Sequence, residues 1–306
     1  MPELPEVETI RRGLSQLIVG RVIANVQVNW AKTWPLGVSQ LESKVIKSKV
    51  ESLDRRAKVL IINLANPSIP DTGYSLLFHL KMTGQLVLVR AGGERFAGGH
   101  PTESMQGGLP DKSTRVIFTF DNGDQLFFND QRKFGWVQLV ESQQVKSHQL
   151  IARLGPEPLS DDFSVERFAL NVKRHPKSPV KATILDQSTV SGIGNIYADE
   201  SLHLARIHPA RLGGSLKPVE LKRLHAGIRD IITLGIQHGG TSFTNYVNAL
   251  GRKGDYLDNA RVFRRQGQSC PARLPDGQVC GTTIEKIRVA GRGTHVCPNC
   301  QKLERK

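Results

Sequence analysis

The residues with the clearest capacity for chemistry in this chain are four cysteines, all within its last 37 residues and spaced Cys270-x9-Cys280-x16-Cys297-x2-Cys300. The CPNC pair has the spacing from which two thiolates reach one tetrahedral Zn2+, and the sixteen-residue gap suits a zinc ribbon made of two hairpins. Nine residues between the first two cysteines exceed the usual span of about two to four. The intervening PARLPDGQV contains a Pro-Asp-Gly turn, however, so a small extra hairpin can return Cys270 to the side of Cys280. The expectation is one structural Zn2+ on Cys270, Cys280, Cys297 and Cys300. Disulfides or free thiols are the alternative, disfavoured in a chain without an export signal.

A second unusual stretch is the start, MPELPEVETIRRGL. Pro5 is tolerated in a first helical turn, Val7, Ile10, Leu14 and Leu17 follow at helical spacing, and Glu6 and Glu8 sit at the end of a helix that favours negative charge. An acidic helix start packed on a core accounts for all of these and leaves Pro2-Glu3 unexplained. A third stretch, SGIGN (191–195), has glycines that turn the backbone sharply at a helix start, where N–H groups can meet a phosphate. It does not complete GxGxxG, and a bare connection between helices fits it as well.

The elements that must position these groups divide the chain in two. At 306 residues two domains are expected. The first half reads as strands: 21–28 alternates, 45–63 holds two strands joined by a turn at Asp54 to Ala57, and 74–89 holds two more. TRVIFTF-DNGD-QLFF is the plainest hairpin, with Asn122-Gly123 expected to supply positive φ. Residues 90–114, with three Gly-Gly pairs and no phosphate-loop pattern, read as a mobile surface loop. After LGPEPLSDD, an extended linker, the apolar period becomes helical. VKATILDQ and IYADESLHLARI flank STVSGIGN as two helices, and Leu221, Leu224, Ile228 and Ile232 mark a third, from Pro218 to Gly239-Gly240.

Composition narrows the partners. No apolar run approaches a membrane span, and Glu3, Glu6, Glu8, Arg11 and Arg12 exclude a signal peptide from the first twenty residues. Lys and Arg number 42 against 28 Asp and Glu, and residues 251–306 carry half of that surplus of 14. Concentrated positive charge suggests a polyanion, most often nucleic acid; a merely soluble basic protein is the alternative.

PELPEVETIRRGL resembles the start of the formamidopyrimidine-DNA glycosylases, whose endonuclease VIII relatives typically begin PEGPE. DRRAKVL (54–60), HLKMTGQL (79–86), NDQRKFG (129–135), LGPEPL (154–159), LDQSTVSGIGNIYADE (185–200), RIHPAR (206–211), GGTSFTNYVN (239–248) and the cysteine ribbon resemble family segments in the family's order. The resemblance covers essentially the whole chain. It implies an α+β multidomain fold: an N-terminal β-sandwich with a flanking helix (1–150), a linker (151–162), a helical DNA-binding domain of helix, two turns and helix (163–260), and a zinc ribbon (261–306), with DNA in the cleft between domains.

The implied activity is base excision repair. Oxidised purines, formamidopyrimidines and 8-oxoguanine, are excised from double-stranded DNA, and the abasic site is cleaved by β,δ-elimination. Removal of Met1 would leave Pro2 with a secondary amine of the α-amino class, whose pKa near about 8 leaves a neutral fraction able to attack C1′ and form an iminium. By resemblance Glu3 is the general acid/base at the deoxyribose, Glu6 shapes the same pocket, Lys58 serves β-elimination, and Arg292 grips the lesion phosphates and serves δ-elimination. An ordinary turn lysine and a solvated arginine are the alternatives for the last two. Met82, Arg132 and Phe134 fall where the family fills the gap left by a flipped base; core packing is the alternative for Met82 and Phe134. Lys177, Lys181 and Asn195 are implied phosphate contacts. The expected setting is a monomer in the cytoplasm, on the nucleoid of a bacterium, without membrane.

Several positions depart from the family. Ser113 stands where many relatives have a DNA-contacting histidine, loop 90–114 and the first zinc knuckle are enlarged, and NALGRKGDYLDNA differs in detail while keeping glycines and Tyr256. The alternatives are an endonuclease VIII-like enzyme for oxidised pyrimidines and a non-catalytic zinc protein that binds lesions. PEL in place of PEG disfavours the first; Pro2, Glu3 and Lys58 disfavour the second.

Overall fold

The computed structural model describes residues 1–35, 41–68, 73–100, 102–241 and 254–303, apart from the side chain of Glu42. The chain gathers into two compact units, Met1–Ala152 with His238–Asp255, and Arg153–Gln237 with Tyr256–Lys306.

The first unit opens with helix α1 (Leu4–Ile18), followed by β1 (Ile23–Val28), a one-turn α2 (Leu41–Lys44), β2 (Lys49–Arg56), β3 (Val59–Ala65), β4 (Tyr74–His79), β5 (Gly84–Val89), β6 (Arg95–Gly99), β7 (Thr114–Phe120), β8 (Gln125–Asp130), β9 (Trp136–Glu141) and a one-turn α3 (Gln149–Ala152). These strands form two antiparallel sheets, ordered β1-β7-β8-β5-β6 and β2-β3-β4-β9. One apolar core, with Phe78, Phe118 and Phe128 at its centre, is shared by both sheets and by Val7, Ile10, Leu14 and Ile18 of α1. The expected β-sandwich with its N-terminal helix is therefore present. Helix α1 packs against β2 and β6, an edge strand of each sheet, and so covers the side where both edges would otherwise lie open.

Two local expectations are corrected. The described residues of 90–114 do not all form a loop: Arg95–Gly99 is β6, paired with β5, and Met105 is buried with Val87, Ala97, Ile117 and Phe127 on the outer face of the larger sheet. One of the glycines that suggested mobility, Gly99, serves a close crossing, because a Cβ there (φ +123°) would lie 2.4 Å from the Gly84 carbonyl oxygen. In the β7–β8 turn only Gly123 takes positive φ; Asn122 does not.

The second unit contains α4 (Val165–Lys173), α5 (Val180–Leu185), α6 (Asn195–Leu204), α7 (Pro218–Gln237) and the hairpin β10 (Glu285–Val289) and β11 (Arg292–Val296). Helix α7 begins at Pro218 and ends before Gly239-Gly240, whose φ values of +67° and +80° no helix can hold. Its buried stripe, Leu221, Leu224, Ile228, Ile231 and Ile232, has the helical period, and α4 and α6 pack on it. Among the described residues no helix is long and apolar enough to cross a membrane.

Glu8 ties α1 to the sandwich. It is buried and pairs with Arg11 (2.8 Å), Arg12 (2.8 Å) and Arg55 (3.2 Å). Burial alone would raise its pKa, but the hydrogen bonds from Arg11 and Arg12 and the charges of Arg55 and Arg11 outweigh it and bring the carboxyl down to about 2. The folded pKa lies below the unfolded one, so this stabilisation is complete above about pH 5 and is lost as pH falls towards 2; it amounts to at most about 3 kcal/mol. In urea unfolding, Glu8→Gln is expected to lower stability at pH 7 and to flatten its dependence on pH between about 5 and 2. A variant as acid-sensitive as the parent would show that Glu8 does not carry the effect.

Candidate functional site

The first turn of α1 is a cluster of buried carboxylates. Glu3, the N-cap, and Glu6 are 2% and 1% exposed, and Pro2 is buried while Met1 is exposed. The Glu3 N–H donates to Glu6 Oε2 (2.8 Å) in a capping box, which satisfies a backbone donor the helix cannot. Glu6 Oε1 accepts from the Thr241 N–H (2.8 Å) and hydroxyl (3.0 Å). The approach needs glycine at 240, where a Cβ would fall 2.7 Å from Glu6 Oε1. Glu6 thus holds the segment after α7 against the helix start within the first unit.

Lys58 lies buried in the tight β2–β3 turn beside Ala57, whose φ is +52°. The turn is braced from α1, since Arg55 donates to Glu8 Oε2 and to the Ala57 carbonyl oxygen (3.0 Å). His79, at the end of β4, is pushed down to about 3 by burial and then by the charges of Lys81 and Lys58, so its ring is neutral and its Nδ1 accepts from the Lys81 N–H (3.0 Å).

Two exposed tips share one anchor, Asp130. Its carboxylate accepts from the Thr83 hydroxyl, from the Arg132 N–H (3.2 Å) and from the Gly135 N–H (2.6 Å), and so holds the β4–β5 and β8–β9 connections together. Met82 (43% exposed) and Phe134 (54% exposed) stand on these connections in solvent, against the core-packing alternative. The Arg132 guanidinium lies 5.1 Å from the centre of the Phe134 ring, and its Nη1 is 3.1 Å from Met82 Sδ. Neighbouring Lys133 places its ammonium 3.9 Å from the centre of the Trp30 ring. The three residues are therefore one preassembled cluster.

In the second unit the four cysteine sulphurs lie within 4.8 Å of one another. The Cys270–Cys300 and Cys280–Cys297 sulphur separations are 3.9 and 3.7 Å, close to the roughly 3.8 Å edge of a tetrahedron with Zn–S bonds of about 2.3 Å. The nine-residue insertion is a hairpin with a turn at Leu274–Gln278 and a bridge from Arg273 to Val279, and it returns Cys270 as expected. Burial and the neighbouring sulphurs push the Cys270 thiol up to about 11 and Cys300 higher still. Four thiolates at this spacing need a divalent cation, and the cluster fits one structural Zn2+. His295, a conceivable substitute ligand, is directed elsewhere: its N–H and Nδ1 meet Asp199 Oδ2 at 2.9 and 3.2 Å.

The ribbon is fastened to helix α6. Glu200 accepts three backbone N–H bonds, from Arg261 (2.7 Å), Val262 (2.9 Å) and Phe263 (2.8 Å). Asp199 pairs with Lys181 (2.6 Å), whose ammonium also meets the Gly293 carbonyl oxygen (3.1 Å) and the Thr294 hydroxyl (2.8 Å). Arg292, exposed at the tip of the β10–β11 hairpin, is held at its base by these bonds and by Asn195 Nδ2, which donates to the Gly293 carbonyl oxygen (3.1 Å).

Comparison with known proteins matches three segments of the chain. Residues 1–137 match the formamidopyrimidine-DNA glycosylase N-terminal domain, 154–247 the H2TH domain of the same enzymes, and 278–303 the zinc finger found in FPG and IleRS. A formamidopyrimidine-DNA glycosylase of Herpetosiphon aurantiacus is 40% identical over 98% of this chain and 100% of its own. One of Streptococcus mutans is 38% identical over 99% and 100%. The chain belongs to the formamidopyrimidine-DNA glycosylase family. Among solved structures, a Lactococcus lactis FPG mutant in complex with Fapy-dG-containing DNA is similar with a TM-score of 0.82 and 33% identity, covering 99% of this chain and 100% of that one. The L. lactis enzyme in complex with abasic-site DNA gives 0.82 and 33%, over 98% and 100%.

Within this family frame some expected contacts sit differently. Lys181 is buried against Asp199 and is not a surface phosphate contact, whereas Lys177 is exposed. Ser113 is buried and bonded to Ser104 (3.1 Å) and Asp111 (2.7 Å), so it does not stand in for a surface histidine. Tyr256 packs in the interior against Tyr197; most of the loop before it lies outside the described residues. Sequence reading passes over Asp130, Asp199 and Glu200. Only the last two leave a signal, adjacent acids in a helix that otherwise reads as packed.

The full-length protein is expected to bind one zinc per chain, and Cys270→Ser to lose it as Cys297→Ser does, because the metal supplies much of the ribbon's folding energy. Metal analysis after gel filtration decides; a Cys270→Ser protein that keeps its zinc would require another ligand.

Proposed function

We propose that this protein is a bifunctional base excision repair enzyme of the cytoplasm, acting on double-stranded DNA that contains oxidised purines or abasic sites. The observation that carries the reading is the first turn of α1, where two carboxylates are almost wholly buried beside Pro2 at the chain's second residue. Burying ionisable groups at a chain end is costly, and a merely structural helix start does not require it. Such an arrangement suits a site whose nucleophile is the terminal amine itself.

The chemistry follows from that nucleophile. Once Met1 is removed, the Pro2 nitrogen bonds to C1′ as the bond from C1′ to the damaged base breaks, and the base leaves. Ring opening gives an iminium, with Glu3 carrying protons at the deoxyribose. The iminium acidifies the C2′ proton; its loss expels the 3′ phosphate, and a second elimination expels the 5′ phosphate. Lys58, held by the braced turn, serves the first elimination, and Arg292 grips the lesion phosphates and serves the second. Glu6 keeps the pocket in shape through Glu3 and Thr241. Met82, Arg132 and Phe134 fill the stack after base flipping, and Lys177 and Asn195 contact phosphates.

Borohydride should join the mature enzyme covalently to duplex carrying 8-oxoguanine opposite cytosine, by reducing the iminium. Retaining Met1 should abolish trapping and leave DNA binding in place. Trapping that survives a blocked N-terminus would assign the nucleophile to a lysine instead. A solved structure of the L. lactis relative holds DNA with an oxidised pyrimidine, so that lesion belongs in the same assay. If no lesion and no abasic site gives a trapped species, the protein is a binder and not an enzyme.

Replacing Met82, Arg132 and Phe134 together by alanine should slow cutting of a duplex lesion by at least about tenfold, since flipping costs a few kcal/mol without a gap filler. Cleavage of a preformed abasic site in single-stranded DNA should change little. Equal losses on both substrates would contradict the gap-filling role.

A further inference from the structure

Among the polar side chains that helix α6 and the residues just beyond it present to the zinc ribbon, four lie past its first turn, and only three of these are structural in an obvious way. Asp199 and Glu200 hold backbone N–H groups, and Arg206, past the helix end, donates to the Arg273 carbonyl oxygen (2.7 Å) in the enlarged knuckle. The fourth is His203, one turn after Asp199 and 2% exposed, with Nε2 3.3 Å from Cys270 Sγ.

The hydrogen on that ring can be assigned. In a zinc-loaded ribbon Cys270 is a thiolate with no proton to give, so the contact is a hydrogen bond only if Nε2 carries the hydrogen. Nδ1 is buried with no hydrogen-bond partner among the described residues. A proton there would leave one buried N–H unpaired and set a nitrogen lone pair against a thiolate at Nε2. The Nε2–H tautomer avoids both penalties.

Four thiolates on Zn2+ leave a net charge of minus two, which a buried site must offset with donors. Cys280 receives Asn299 Nδ2 (3.4 Å), and Cys297 receives the Cys300 N–H (3.4 Å) supplied by the short CPNC knuckle. Cys270 lies in the long knuckle, where the Ala272 backbone is the local donor. We propose that His203 is a positioning residue for the metal: its Nε2–H donates to the zinc-bound Cys270 thiolate and fastens the metal centre directly to helix α6. Zinc occupancy and the seating of the ribbon on the helical part of the second unit are thereby one event. The inference rests on the four-cysteine zinc site, whose stoichiometry is measured separately in each variant below.

The test compares zinc release from full-length, zinc-loaded protein to a chromogenic chelator. His203→Phe keeps the ring volume and removes the donor, and should release zinc about tenfold faster or more, as loss of such outer partners typically does. His203→Gln, which places an amide N–H near the Nε2 position, should recover much of the difference. Release from the Phe variant at the parental rate would overturn the proposal, as would equal acceleration in both variants. Should the Phe variant fail to fold, nitrogen NMR of the cadmium-substituted parent still decides. His203 is expected to be protonated at Nε2 with a scalar coupling to the metal across the N–H···S bond. A ring protonated at Nδ1, or one bonded directly to cadmium in place of a cysteine, would refute it.

Discussion

The structure of the first unit depends on one constraint: carboxylates buried near the start of α1 must find partners inside the protein. An ionised carboxylate removed from water costs several kcal/mol unless it is paired and hydrogen-bonded. Glu8 meets this with three guanidinium groups and Glu6 with the Glu3 N–H and Thr241. Arg55 and Thr241 come from other pieces of chain, so satisfying these carboxylates also fixes geometry. Arg55 carries the constraint into the turn that bears Lys58, and Thr241 carries it into the segment after α7. The start of the chain, ordinarily its least ordered part, is held from two sides.

The second unit solves a related problem by other means. A ribbon whose core cluster is Val262 and Ile284, with Cys270 and Cys297 beside them, is too small to hold itself together. The metal supplies one staple and the polar face of α6 the other. The side chains on that face reach the ribbon at three heights: Glu200 before the first cysteine, His203 at it, and Asp199 at strand β11. Arg292 inherits its position from these bonds, although nothing near it in sequence would indicate so.

What is legible in the sequence follows from the range of each interaction. Helices α1 and α7 announce themselves because capping residues, period and terminating glycines are local, and the cysteine ligands because few other residue types serve a zinc ribbon. Position 181 misleads because a lysine's meaning depends on its partner, and Asp199 reaches it through the fold, not along the chain. Loop 90–114 misleads because glycine pairs signal either freedom or crowding; Gly99 lies against the Gly84 backbone, a contact set by pairing between β5 and β6. Asp130 gives no sign of its role, since the two loops it joins are far apart in sequence and only β5–β8 pairing makes them neighbours.

On the proposed reading, that pairing bears on how a DNA-reading surface can be built at all. Met82 and Phe134 are apolar and exposed, and in isolation each would sample many rotamers, so ordering them against a nucleic acid would cost free energy on binding. Here Thr83 and Arg132 are both bonded to Asp130, and Arg132 in turn lies on Phe134 and against Met82. Lys133 adds a brace on Trp30 from outside the cluster. Much of the ordering cost is therefore met during folding, by a buried carboxylate and a sheet, before any DNA arrives. On the proposed reading this is why the wedge is carried on two short connections of a rigid sandwich: a flexible loop could place the same three side chains in the stack, but it would have to pay for their order at the moment the base is flipped.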